Sequence, residues 1–311
     1  MALYAPLASR RQTLLVKLET TPGQAETTGL LPLLAFDVSA GPSTDWSDRK
    51  GTGAYSGHNA SGALGAHTGQ IEFTTELRAA VGGGALAPAL AACLQACGAL
   101  KTLEVYGQDI ANARDAGARS LTIWREIDGV RKRLVGAAGN VVFRGAVGER
   151  VMLAFTFQGR WTAPTDETMD TTAPAGGPPM RLENGSFTLG GETIKIAEFE
   201  INWGATPALR ADAAASGGVG CYDVLDFDPE ISLDPEMDRV AGYDFYGLHL
   251  AGATAAVALS ATAGDDTAAL TMPAVNIKEL NEGDRDGIAT LEYAGACVND
   301  GATPAVSLEM S

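Results

Sequence analysis

The sequence predicts a mainly β protein: a β-sandwich or small barrel with a flanking helix, present as two similar domains in tandem. Three observations predict this fold class. Short alternating or apolar runs are bounded by Gly and Pro turns, one segment has helical periodicity, and one β unit occurs twice. A chain of 311 residues with 46% hydrophobic content is long enough to bury a core in each of two domains.

Strand-like segments occupy most of the first half. "TLLVKLETTPG" is typical of a strand closed by a Pro-Gly turn, and residues 30–40 form a second apolar run. Residues 70–77 alternate between apolar and polar side chains, which indicates a half-buried strand. In "SLTIWREIDGVRKRLVGAAG", the Asp128-Gly129 pair between two strand-like runs predicts a hairpin turn.

Residues 85–98 are the one segment with a clear helical pattern. Pro88 suits the first turn of a helix, and Gly98 suits the position after its end. The expected buried face consists of Leu86, Leu90, Cys93, Leu94 and Cys97. Four cysteines are too few and too scattered for a disulfide scaffold. Cys93 and Cys97 are therefore expected to be small buried apolar side chains rather than half of a metal or redox site.

Residues 41–69 form a long segment dominated by Gly, Ser, Ala and Thr, without helical or strand periodicity. Because loops of this length are unusual inside a compact domain, we expect a contact arm or a disordered segment, with a plain flexible insertion as the alternative. The segment contains His58 and His67. No cysteine or tight carboxylate cluster accompanies these histidines, so the sequence disfavours zinc binding.

A repeat links the two halves of the chain. Residues 140–161 and 276–297 both begin at an Asn, pass a cluster of Gly, an acid and Arg, and continue into an alternating strand that breaks at a Gly. Placing Asn140 on Asn276 gives an offset of 136 (276 − 140), and the alignment extends without a gap through the preceding hairpin.

A second pair of similar segments lies upstream of the first. It begins at Gln70 and Glu230, an offset of 160 (230 − 70), so the first copy is longer between the two anchors, where its helix lies. The sequence therefore predicts a first domain at residues 1–165, a linker at 166–180 and a second domain of the same kind at 181–311.

The charge balance excludes several classes of partner. The net charge is −16, which argues against a protein that binds nucleic acid by neutralising phosphates and against an anionic membrane surface. The chain has no 18-residue apolar run and its N-terminus lacks the apolar core of a signal peptide, so we expect synthesis in the cytoplasm and no membrane partner.

No residue pattern points to catalysis. The sequence contains no nucleophile-elbow serine and no supported Cys/His pair. Residues 226–238 concentrate acids, but their spacing differs from that of an EF-hand loop and alternates as a strand does, so a solvated acidic face is expected rather than a calcium site. His249 lies in an apolar run, where a structural histidine is expected. We predict no enzyme, cofactor or metal; a hydrolase that uses these acids with His249 is the second alternative.

Several segments together resemble a known family. "KLETTPG", the long Gly-rich segment, "GQIEFTTELR" before an Ala/Leu helix, and the closing "LAFTFQGRWTAPTDE" occur in an order similar to that in major tail tube proteins of long-tailed (siphovirus-type) bacteriophages. The resemblance covers residues 14–165, and the second half matches more loosely as a repeat of the same barrel.

The resemblance implies a structural virion protein that forms stacked rings around a channel for DNA. Six barrels usually surround the axis, so either three two-domain chains or six chains would complete a ring. It also implies the tape measure, tail terminator and distal tail proteins as partners, a place in the virion tail, and assembly in the cytoplasm of the bacterial host. An acidic wall conducts DNA by repulsion, whereas a basic wall would hold it.

Assembly contacts are expected in the N-terminal arm and in the long segment. The candidate residues are Arg10, Arg11, Trp46, Tyr55, His58 and His67. The leading alternative function is a two-domain β-sandwich adhesin or receptor-binding tail component, for which an aromatic content of 6% gives little support.

Overall fold

A computed structural model of the chain describes residues 7–44, 46–51, 59–109, 120–299, 301 and 303–311. Over these residues the protein is mainly β, with large antiparallel sheets and two α-helices, which confirms the predicted fold class.

The first half of the chain contains eleven strands and one helix within the described residues. In order these are β1 (Gln12–Leu18), β2 (Leu31–Leu33), β3 (Phe36–Pro42), β4 (Trp46–Lys50), β5 (Asn59–Leu64), β6 (Thr68–Glu76), α1 (Pro88–Ala96), β7 (Ala99–Thr102), β8 (Val105–Gln108), β9 (Leu121–Ile127), β10 (Val130–Ala146) and β11 (Met152–Asp166).

The second half follows with ten strands and one helix in the part that the structure describes. These are β12 (Phe187–Leu189), β13 (Glu192–Thr193), β14 (Glu198–Asn202), β15 (Ala205–Ala211), β16 (Val219–Phe227), β17 (Glu230–Leu233), α2 (Phe245–Ala251), β18 (Thr254–Ala263), β19 (Asp266–Arg285), β20 (Ile288–Val298) and β21 (Ser307–Met310). A 3₁₀ turn, Ser216–Gly218, precedes β16.

The order of elements in the second half repeats that in the first. Strands β12, β13 and β14 correspond to β1, β2 and β3, and the hairpin β15–β16 corresponds to β4–β5. Strand β17 corresponds to β6, α2 to α1, and β18, β19 and β20 to β9, β10 and β11. The first residues of β10 and β19 are 136 positions apart (266 − 130), and so are those of β11 and β20 (288 − 152). The division into two separate domains with a linker at 166–180 stays a prediction.

One eight-stranded antiparallel sheet runs through both halves. Its strand order is β3-β6-β11-β10-β14-β17-β20-β19. We call it the main sheet. Its first four strands come from the first half of the chain and its last four, which correspond to them one by one, come from the second half.

A second layer packs behind each half of the main sheet. The first part of β10 pairs with β9, which continues to β1 and β2. Likewise the first part of β19 pairs with β18, which continues to β12 and β13. Strand β21 pairs with the other side of β19 and with β8, so a hairpin of the first half completes the second layer of the second half. A β-bulge in each long strand lets it serve both layers.

The core lies between the two layers and is built on inward-facing aromatic side chains. Phe73 of β6 lies 5.4 Å from Phe155 and 6.0 Å from Phe157 of β11, measured between ring centroids. Helix α1 packs against this core as predicted: Pro88 occupies its first turn, Cys93 and Cys97 are buried, and Gly98 follows its end.

The structure differs from the sequence prediction at two elements. Helix α2 was not predicted, because its seven residues are too short to show a helical period; Asp244 caps it and Gly252 ends it. The segment 41–69, expected to lack regular structure, contains the β4–β5 hairpin. Apart from Trp46 and Leu64 at its base, the sequence of this hairpin consists of small or polar residues without alternation, so the pattern could not reveal it.

The segment 167–180 is fastened to the first half of the chain. The Arg78 Nε–H donates to the carbonyl of Gly177 at 2.7 Å, and the Met180 N–H donates to the carbonyl of Leu77 at 2.8 Å. The Met180 side chain is fully buried. This segment therefore follows a fixed path along the end of β6.

A buried carboxylate holds the bend of β10 in place. Glu19, which is 1% exposed, accepts hydrogen bonds from Gly23 N–H, Ser120 Oγ–H, Thr122 Oγ1–H and Gly136 N–H at 2.6–2.7 Å. Gly136 lies in the bulge of β10 with a φ of 62°. One side chain thus joins the turn after β1, the start of β9 and the bulge.

Replacement of this carboxylate tests its role. We expect Glu19→Gln to lower the free energy of unfolding by at least about 2 kcal/mol, because an amide nitrogen in place of one oxygen leaves buried donors without an acceptor. Chemical denaturation of the purified chain measures the change. Glu309→Gln, at an exposed position on β21, is the matched control. Equal stability of the two variants would contradict the role of Glu19.

Candidate functional site

The outward face of the main sheet carries many acidic side chains. Along its strands alternate residues are buried, so the remaining ones point away from the core. The outward charged residues include Glu72, Glu198, Glu200, Glu230, Glu279 and Glu292, with Arg144, Arg160, Lys278 and Arg285. Arg144 pairs with Glu200 at 2.8 Å and Lys278 pairs with Glu230, so the residual charge of this face is negative.

Several of the outward side chains between these charges are short. They include Thr156, Ser232, Ala294 and Ala296. A shallow concavity of 580 Å³ lies over the meeting point of the two halves and is lined by Arg144, Glu198, Glu200, Glu279 and Glu292 among others. The face is therefore smooth and acidic, without a deep binding cleft.

The two halves meet where β10 pairs with β14. Residues Val142–Ala146 lie opposite Glu198–Asn202 in an antiparallel ladder of five residue pairs. Next to the ladder, the N–H of Trp203 donates to the carbonyl of Val141 at 2.9 Å. The Trp203 indole is fully buried and its N–H donates to the carbonyl of Cys97 at 3.1 Å, which ties the junction to the end of α1.

Asn140 fastens this junction with both ends of its side chain. Its Nδ2 donates to Asn202 Oδ1 at 2.7 Å, and its Oδ1 accepts the N–H of Ala205 at 2.9 Å. Asn276 is the counterpart of Asn140 in the second half. Its Oδ1 is buried and has no hydrogen-bond partner among the residues that the structure describes.

Both edges of the main sheet lack a neighbouring strand in the described part of the chain. β3 pairs only with β6, and residues 278–285 of β19 pair only with β20. At the start of the second edge, His249 Nδ1–H donates to the carbonyl of Ile277 at 3.2 Å. Ile277 corresponds to Val141, whose carbonyl accepts the Trp203 N–H in the first half. Tyr246 Oη–H of α2 also donates to Glu282 Oε1 at 3.0 Å, whereas the backbone groups of residues 278–285 have no partner on this side among the described residues.

The structure places the predicted assembly residues on different elements. Arg10 and Arg11 are exposed, and the Arg11 Nη1 lies 2.8 Å from Asp128 in the β9–β10 turn. The Ala8 N–H and the Arg11 guanidinium hold the pKa of Asp128 below its ordinary value. This arm is therefore attached to the first hairpin.

The other candidates belong to the β4–β5 region. Trp46 is 62% exposed on β4, and its indole N–H donates to Asp48 at 2.9 Å. His67 is exposed just before β6, where its backbone N–H donates to the carbonyl of Gly217 at 3.1 Å. Tyr55 and His58 lie outside the described residues. A role of these six residues in assembly stays a prediction.

Three acids of residues 226–238, Glu230, Asp234 and Glu236, form ion pairs. Asp234 accepts the N–H groups of Ala197 and Glu198, and Arg285 bridges Asp234 and Glu236. In the described ranges no cluster of three or more His, Cys, Asp or Glu side chains is arranged to hold a metal ion. Burial raises the pKa of the Cys93 and Cys97 thiols, which keeps them protonated.

An unpaired edge can accept a strand from another chain, and the main sheet has two such edges in the described part of the chain. The model of the family described as phage tail tube protein matches residues 9–304. The chain therefore belongs to the phage tail tube protein family and is a structural component of the virion. This confirms the resemblance seen in the sequence and extends it over the second half.

No curated protein matches this chain. Neither helix of the described residues has the length and apolar composition that a membrane crossing requires.

The junction between the halves predicts a stability effect. We expect Asn140→Ala to lower the free energy of unfolding of the isolated chain by about 1–3 kcal/mol, because the Ala205 N–H loses its acceptor and Asn202 Oδ1 keeps only the Gly204 N–H as a donor. Chemical denaturation measures this change, and Asn281→Ala, at an exposed position on β19, is the control. A loss no larger than that of the control would show that the Asn140 bonds do not hold the halves together.

Proposed function

We propose that three copies of this chain close into a ring through their main sheets, and that stacked rings form the phage tail tube. The observation that carries the proposal is the β10–β14 ladder. In the first half, β10 offers an edge to β14 of the second half. The corresponding edge of β19 lacks a neighbour among described residues, and so does β3, which corresponds to β14.

The repeat of the same ladder between chains determines the ring. Residues 278–285 of one copy would pair with β3 of the next, as Val142–Ala146 pair with Glu198–Asn202 within the chain. Each added chain then exposes the same open β19 edge, so the contact is head-to-tail. Such a contact leaves no free edge only when the chains close into a ring. With six four-stranded units around the axis, as the resemblance implies, three chains supply 24 strands (3 × 8).

The outward face of the main sheet would line the channel. Its opposite face is already covered by the core, and the acidic and short side chains on the outward face suit a wall that DNA passes without binding. Phosphates would meet carboxylates such as Glu292 rather than a row of lysines and arginines. Ejection of DNA through such a conduit, and contacts with the tape measure, tail terminator and distal tail proteins, belong to the same proposal.

Native mass spectrometry of the smallest assembled ring tests the stoichiometry. We expect a species of 96.0 kDa (3 × 32.0 kDa) and stacks of this unit. A ring of six chains would have twice this mass and would contradict the three-chain closure. A chain that forms neither rings nor tubes at any concentration would contradict the proposed function as a whole.

A charge reversal tests which face lines the channel. Tubes of Glu292→Lys should retain short duplex DNA at low salt, whereas wild-type tubes should not, because each ring then carries three lysines toward the channel. The logarithm of the DNA-binding constant should fall linearly with the logarithm of the salt concentration, with a slope of about −0.9 per neutralised phosphate. Glu309→Lys, on β21 in the second layer, is the matched control and should behave as wild type. Equal retention by both variants would place the channel elsewhere.

A further inference from the structure

The β15–β16 hairpin covers the end of helix α1 within the chain. Gly98, with a φ of 80°, follows α1, and a Cβ built there would lie 2.6 Å from Phe227 Cζ and 3.1 Å from Val224 Cγ1. Farther along, Tyr222 and Val219 pack on Ala138 of β10. A hairpin that begins at the β14 edge thus folds back over the half of the chain to which that edge is paired.

The corresponding surface of the second half is uncovered. Gly252 follows α2 with a φ of 60°, and a Cβ built there has no atom of the described residues within 4 Å. Leu250, in the last turn of α2, is 85% exposed. The second half therefore presents an open helix end with an exposed Leu, whereas the first half presents a helix end covered by Val224 and Phe227.

The corresponding hairpin, β4–β5, has no such surface beneath it in the described chain. At the offset of 160 that relates β6 to β17, Leu64 corresponds to Val224. Leu64 is 59% exposed, and Trp46, its cross-strand partner, is 62% exposed. In the described chain, the apolar base of β4–β5 therefore covers no helix end, and the end of α2 is covered by no hairpin.

The orphaned oxygen of Asn276 independently points to the same contact. Asn140 Oδ1 accepts the N–H of Ala205, the first residue of β15. Asn276 Oδ1 is buried but has no donor in the part of the chain that the structure describes. For Asn140 in the first half, the donor is the first residue of the β15–β16 hairpin. The corresponding hairpin in the chain is β4–β5, so its first residues are the expected source of a donor for Asn276 Oδ1.

We infer that the β4–β5 hairpin of one copy docks over the end of α2 in the neighbouring copy. The occupant is a second copy of this chain, placed by the repeat of the intrachain contact. Leu64 and Trp46 cover Leu250 and Gly252, and a backbone N–H at the start of the hairpin donates to Asn276 Oδ1. The inference rests on the proposed ring and adds a second attachment beside the strand pairing.

A matched pair of variants separates this contact from folding. Asn276→Ala removes a side chain that has no hydrogen bond within the described chain, so the isolated chain should keep the denaturation midpoint of the wild type. The protein concentration at which tubes form should rise about tenfold, since a buried donor in the neighbour loses its acceptor. Leu250→Asp should raise this concentration at least as much, whereas Val81→Asp, at another apolar residue with high exposure, should not.

Photo-crosslinking locates the contact directly. p-Benzoylphenylalanine at position 64, in tubes assembled from a mixture of ¹⁴N and ¹⁵N chains, should give mixed-isotope crosslinks to the peptide that contains residues 248–253. The same group at position 103, where Leu103 is 86% exposed, should give none to this peptide.

The outcomes distinguish the inference from the proposed function. Tubes that form normally, yet show no crosslink to α2 and are unaffected by Asn276→Ala and Leu250→Asp, would overturn the hairpin contact and leave the ring intact. Crosslinks within one chain would also overturn it. A wild-type chain that never assembles would overturn the ring, and the hairpin contact with it.

Discussion

The backbone hydrogen bonds between β10 and β14 are the interaction on which the rest of this structure depends. Without this ladder the two halves would each end in a row of unpaired N–H and C=O groups, which is costly away from water and prone to unwanted pairing. The ladder removes two such edges by pairing them with each other. The same sheet leaves the outer edge of β3 unpaired at one end and the outer edge of residues 278–285 of β19 unpaired at the other, in the described part of the chain. These two edges correspond to the two that the ladder joins, so they can pair with each other only between chains.

The long strands make this arrangement possible. β10 must pair with β9 and β14 along one side while it pairs with β11 along the other, and one straight strand cannot serve two layers. The bulge at Gly136 supplies the bend, and the buried carboxylate of Glu19 supplies the acceptor that its N–H requires. The aromatic core of Phe73, Phe155 and Phe157 then fills the space between the layers.

The surface chemistry follows from the same architecture. One face of the main sheet packs against the core, so every second residue of its strands points outward. Many of these outward residues are carboxylates or have short side chains. Exposed apolar side chains lie elsewhere, among them Leu64 and Trp46 at the hairpin base and Leu250 at the end of α2. In a protein that assembles through sheet edges and surface contacts, function does not require a cluster of titratable side chains, and its sequence shows no catalytic motif.

Local patterns in the sequence were sufficient for the elements whose cause is local. Alternation predicted β6, the Asp128-Gly129 pair predicted the β9–β10 hairpin, and Pro88 with Gly98 predicted α1, because each depends on side-chain periodicity or on backbone preference at a few adjacent residues. The repeat offset and the net charge also follow from the sequence alone, and the motif order predicted the family that the comparison then confirmed.

Tertiary structure alone decided which strands become neighbours. Alternation tells which face of a strand is buried, but the partner is chosen by backbone groups that every residue carries, so the β10–β14 ladder has no signature in side-chain pattern. Asn140 and Asn276 illustrate the limit: the sequence presents them as equivalent, and only the fold gives one of them a partner across the junction and leaves the oxygen of the other buried and without a donor in the described chain.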